Sequence, residues 1–134
     1  MRYYSCFSDP FRVYGLDVVD NENHNYWRLA DEDSMRVSEG VRARSKAANG
    51  GRIRFRTDAD SIHVRLSLHE THVDWGASVC AGESVCVLIG SGITSQYRGV
   101  VCAEDFSHLT IEKTIRLRFS GEEKRMRQGT IHLP

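Results

Sequence analysis

Residues 50–68 read GGRIRFRTDADSIHVRLSL, and the fold turns on how this stretch is read. Side chains on a β-strand point alternately to opposite faces. Ile53, Phe55 and Thr57 therefore share one face, and Arg52, Arg54 and Arg56 share the other. Beyond Asp58-Ala59-Asp60, Ile62, Val64, Leu66 and Leu68 oppose Ser61, His63, Arg65 and Ser67. Short Asp and Ser side chains bond nearby backbone groups and favour turns. The pattern predicts a β-hairpin with one oily and one cationic face.

Outward from this stretch, the same period recurs. Phe11–Leu16 predicts a first strand, Asp17–Asn25 a polar loop, Tyr26–Leu29 a second short strand and Met35–Val37 a third. Ser38–Ala48 has helix formers with little amphipathic period, which predicts a single helical turn. His69–Glu83 reads as a long loop. Ser84–Ile89 and Gln96–Cys102 form a plausible strand pair around a turn at Ser91-Gly92. In Lys113–Ser120, Ile115, Leu117 and Phe119 oppose Arg116 and Arg118; Gly121–Arg127 is a charged turn, and Thr130–Leu133 a last strand. About eight short strands with little helix predict an all-β fold, an antiparallel β-sandwich or barrel.

The 134 residues suit one domain, and 18 basic residues balance 18 acidic ones. Nucleic-acid binders draw most of their affinity from a basic excess, so no nucleic-acid partner is expected, although a local cationic face is. No run approaches the length of a membrane helix, and the N-terminus lacks a signal-peptide core. The expectation is a cytoplasmic protein without a membrane partner. Cys6, Cys80, Cys86 and Cys102 have no zinc-site spacing and are expected to be reduced, structural thiols; a Cys80–Cys86 disulfide is conceivable only in an oxidising compartment.

Three groups of residues suggest chemistry. His69, His72 and Asp74 offer nitrogen and oxygen ligands at short spacing, yet they match no metal signature, and a solvated polar loop explains them equally. Asp105-Phe-Ser-His108 and Asp60-Ser-Ile-His63 share an Asp-x-x-His spacing, but no positioned serine accompanies either. No catalytic constellation and no cofactor motif is found. Trp75, with His72 and Asp74 beside it, has the make-up of a sugar-ring platform, and Trp27 beside Tyr26 is a second exposed-tryptophan candidate; tryptophan in small domains is otherwise core.

Phe11-Arg-Val-Tyr-Gly-Leu16, Trp27-Arg-Leu29, Val37-Ser-Glu-Gly-Val41 and Gly50-Gly-Arg-Ile-Arg-Phe-Arg-Thr-Asp58 occur in that order. Together they resemble the N-terminal, carbohydrate-binding-module-like β-sandwich of bacterial SGNH (GDSL-type) esterases, which implies an antiparallel β-sandwich of jelly-roll type with Thr130–Pro134 as its last strand. Family members carry Gly-Phe-Asp-Leu-Tyr in the strand after the long loop, where Glu83–Val87 here reads Glu-Ser-Val-Cys-Val. The acid and tyrosine are missing, so no ligand role carries over for them. The resemblance implies that residues 1–134 are one non-catalytic accessory domain, without the catalytic domain and its Gly-Asp-Ser nucleophile. Its implied partners are that C-terminal catalytic domain and a carbohydrate or sugar ester. Arg54 and Arg56 would then belong to an outer sheet face that is solvated, docks the catalytic domain or contacts ligand, and they are expected to pair with Asp or Glu on a neighbouring strand. The competing readings are a free-standing carbohydrate-binding module using Trp75, His72 and Asp74, and a small metal-dependent protein using His69, His72 and Asp74.

Overall fold

The computed structural model describes residues 3–68, 84–103 and 110–133. Among them, nine strands run in chain order: β1 (Arg12–Tyr14), β2 (Val18–Asp20), β3 (Asn25–Trp27), β4 (Arg52–Thr57), β5 (Ser61–Ser67), β6 (Ser84–Ile89), β7 (Gln96–Cys102), β8 (Thr110–Arg116) and β9 (Arg127–His132). Two short helices, α1 (Asp31–Ser34) and α2 (Glu39–Ala43), lie between β3 and β4. The strands form antiparallel sheets in the orders β1-β4-β9-β6-β7, β5-β8 and β2-β3. The fold is an all-β sandwich.

The core lies between the large sheet and the β5–β8 pair. Ile53 and Phe55 of β4, Val85, Val87 and Ile89 of β6, Val101 of β7 and Ile131 of β9 meet Val64 of β5, Ile115 of β8 and the following Leu117. Two glycines let the layers close. A Cβ on Gly129 would stand 2.2 Å from the ring of Phe55, its direct cross-strand partner. One on Gly99 would stand 2.7 Å from Ile115 Cδ1, reaching across from β8.

The alternation in 50–68 holds residue by residue, but the hairpin does not. β4 pairs with β9 along its whole length and with β1 over Arg52–Arg54. β5 pairs with β8 instead. Asp58–Asp60 therefore carries the chain from one sheet to the other. The Ala59 amide donates to Thr57 Oγ1 at 3.0 Å, and the Asp60 carbonyl accepts the amides of Leu117 and Arg118 at 2.7 and 3.1 Å. Both oily faces still reach the same core, from opposite sides.

Smaller corrections follow the same physics. Met35–Val37 is not a strand: Met35 caps α1, whose first turn holds Asp31, Glu32 and Asp33, a favourable place for negative charge. The loop expected over Asp17–Asn25 contains β2 and a tight turn built by Asp20. Its carboxylate accepts the amides of Glu22 and Asn23 and the Asn23 side chain, which holds its pKa below the usual range. The helical turn expected in 38–48 is α2. Phe119 is half exposed rather than core, with the Arg98 guanidinium 4.6 Å from its ring centroid. Cys6 and Cys86 are free, but Cys102 is disulfide-bonded, so the four thiols are not all reduced.

Candidate functional site

The five strands of the large sheet contain no Asp or Glu. In a chain of zero formal charge, this concentrates positive charge on one layer. The outer face is built by positions that alternate with the buried ones. β4 contributes Arg52, Arg54 and Arg56, all exposed. Register places Arg12 of β1 directly opposite Arg54, and Tyr14 opposite Arg52. On the other side, His132, Thr130 and Gln128 of β9 stand opposite Arg52, Arg54 and Arg56. Cys86 and Leu88 of β6 extend the rows past His132 and Thr130.

The expected pairing of Arg54 and Arg56 with carboxylates on neighbouring strands is overturned by this register. Their neighbours are an arginine, a threonine and a glutamine. Arg54 instead lies with its guanidinium 4.9 Å from the Tyr14 ring centroid, an attraction of cation to ring quadrupole. A groove of about 290 Å³ crosses this face, lined by Arg52, Arg54, Leu88, Gln128, Thr130 and His132 together with the turn residues Gly92 and Ser95. Most of these side chains offer hydrogen-bond donors, and Leu88 is the one large apolar member. Burial pushes the Cys86 thiol pKa up, which leaves it a poor nucleophile at neutral pH.

A smaller cavity of about 230 Å³ lies between Gly15, Arg28, Leu29, Val41, Arg44 and Ser45. The side-chain hydroxyl of the buried Ser45 donates to the Arg42 carbonyl at 2.8 Å, and its own carbonyl accepts the amides of Arg28 and Leu29. The polar groups of that wall are thus used in holding the 28–45 segment together.

Several charges elsewhere are paired. His63 Nε2 lies 3.1 Å from Glu112 Oε2, and Nδ1 lies 3.0 Å from Thr114 Oγ1; Arg65 also binds Glu112. Asp60 is held by Arg118 at 2.6 Å, so Asp60 and His63 have separate partners and form no acid–base pair. Glu122 accepts from Arg98 at 2.7 Å and from Arg127 at 3.1 Å. The Phe119 amide first, and then Arg98, hold its carboxyl at about 2, far below the usual value.

Of the residues nominated from sequence, Arg54 and Arg56 lie on the cationic face. His69, His72, Asp74 and Trp75, and the Asp105–His108 pair, lie outside the described residues. Trp27 is half buried with the Lys46 ammonium 4.7 Å over its ring, and Tyr26 stacks on Phe7 at 3.5 Å, so neither presents a clear ring face. Among the described residues no group of His, Cys, Asp and Glu is placed to hold a metal. Arg12, Gln128 and His132 were not legible as partners of the arginine row, because only strand order brings them there.

The family model GxDLY, described as the N-terminus of SGNH-hydrolase-type esterases, matches residues 1–87. The chain belongs to that family. No curated protein and no solved structure matches it. In place of the family's Gly-x-Asp-Leu-Tyr this chain reads Glu83-Ser84-Val85-Cys86-Val87. Val85 is buried, while Ser84 and Cys86 alternate with it on the outer face.

Proposed function

We propose that residues 1–134 act as one non-catalytic, jelly-roll accessory domain of an SGNH-type ester hydrolase. In this reading it packs against the catalytic domain of the same polypeptide and contacts the carbohydrate part of an ester substrate. The family match over residues 1–87 carries this reading. The donor-lined groove supports the sugar contact, since hydroxyl-rich ligands need many hydrogen-bond partners and few apolar ones. Among the described residues no helix is long and apolar enough to cross a membrane.

The test of the accessory role uses p-nitrophenyl acetate. This chain alone should release no nitrophenol above buffer, while the same chain joined to its catalytic domain should hydrolyse the ester and unfold with it in one transition. Turnover by this chain alone, blocked by a serine-directed inhibitor, would make it an enzyme in its own right. Two independent unfolding transitions in the joined protein would remove the packing.

A further inference from the structure

We propose that the outer face of the large sheet is a binding surface for a carboxylate-bearing polysaccharide, gripped by Arg52, Arg54 and Arg56 with Arg12 and His132 alongside. This deepens the carbohydrate-contact reading above and rests on it. It does not depend on the catalytic domain.

The first argument is electrostatic. Like charges directly opposite on adjacent strands destabilise a sheet, yet Arg12 stands opposite Arg54 with no Asp or Glu on any strand of that sheet to offset them. Arg65, Arg98, Arg118 and Arg127, by contrast, each have a carboxylate partner. The row sets three exposed arginines of one strand, with an exposed fourth opposite Arg54, on one sheet face.

The second argument is spacing. Alternate residues on one strand are roughly 6.6 Å apart, so Arg52, Arg54 and Arg56 form a regular line suited to an anion repeated along a polymer. Each guanidinium binds a carboxylate through two parallel hydrogen bonds, and Tyr14 holds that of Arg54 in place from one side. A single exposed contact of this kind is weak; several on one chain multiply through effective concentration.

The third argument chooses the ligand class. Protein partners gain most of their affinity from buried aromatic and aliphatic anchors, whereas Leu88 is the one large apolar residue lining this groove. Nucleic acid carries a far denser charge and favours proteins with a basic excess, which this neutral chain lacks. A hydroxyl-rich polymer with spaced carboxylates fits Gln128, Thr130, Ser95 and His132 lying beside the arginines.

Calorimetric titration with polygalacturonate oligomers tests the proposal, with the methyl-esterified polymer as a neutral control of the same backbone. The acidic form should bind roughly tenfold or more tightly than the ester, and binding should weaken from about 50 to about 200 mM salt. The double variant R54Q/R56Q should lose that preference with its circular dichroism and Tm intact, and R54K/R56K, which keeps the charges, should recover part of it. Equal affinity for acid and ester would overturn the carboxylate reading while leaving the sugar contact standing. Binding of neither polymer would overturn both, without touching the accessory role tested through the esterase. Tighter binding of single-stranded DNA than of polygalacturonate would overturn the choice of a carbohydrate.

Discussion

On the large sheet, Arg12, Arg52, Arg54 and Arg56 stand side by side without a carboxylate. At the 118–127 end of the sandwich, Arg98, Arg118 and Arg127 converge on Glu122 and Asp60. The residue type is the same and the surroundings are opposite. Arg98 is nearly enclosed, its side chain 3% exposed, with Phe119 against its guanidinium. A cation so placed is part of the architecture, since removing its counter-charge would strand it in a poorly solvated site. The row on β4 is solvated and holds up nothing that its own aliphatic stems do not. Identical side chains thus divide into structural and available ones by what lies opposite them.

The comparison can be broken by substitution. Arg98→Ala should have the largest effect, about 2–3 kcal/mol of lost stability in chemical denaturation, from the emptied stem volume and the freed Glu122. If Arg54→Ala cost as much, the distinction between the two sets would collapse.

Next comes acid. The Glu122 carboxyl is held at about 2, against an ordinary 4.5, and Asp60 and Glu112 are lowered as well, by hydrogen bonds to Arg118 and to His63 and Arg65. A depressed carboxylate contributes stability that is full above its ordinary value and lost as pH falls towards its folded one. Tm should therefore drop as pH falls from 4.5 to about 2. Glu122→Gln should flatten that drop, leaving the residual slope from Asp60 and Glu112. An unchanged profile in this variant would mean that Glu122 does not anchor the network.

The smallest expected effect is on the row. R54Q/R56Q should change stability by no more than about 0.5 kcal/mol, with a slight gain where the Arg12–Arg54 repulsion is relieved. Added salt should mimic the gain by screening. A clear loss of Tm would reassign the row to the structural set.

Much of this was legible along the chain. The faces of Ile53, Phe55, Val64 and Leu66 followed from period two, and the bounds of β6 and β7 from apolar, β-branched runs. Phe119 misled because alternation continued past the end of β8, where the core stops at Leu117. Met35–Val37 misled because the three acids before it nucleate a helix end instead. The arginine row was visible, but its surroundings were not: nothing near Arg54 in sequence signals Arg12, Thr130 or Tyr14.

The sequence by itself determined the all-β class, the inward or outward sense of each strand residue, and the neutrality that weighs against nucleic acid. These depend on backbone geometry and composition, which are local or summed properties. Only the tertiary structure decided which strands pair. Asp58-Ala59-Asp60 turns the chain just as well within a sheet as between two, and either route buries the same apolar faces. In the fold β9 pairs along all of β4, β1 pairs over Arg52–Arg54, and β5 pairs with β8 in the facing layer. That pairing is what sets Arg12 opposite Arg54 and leaves a whole sheet face without a carboxylate.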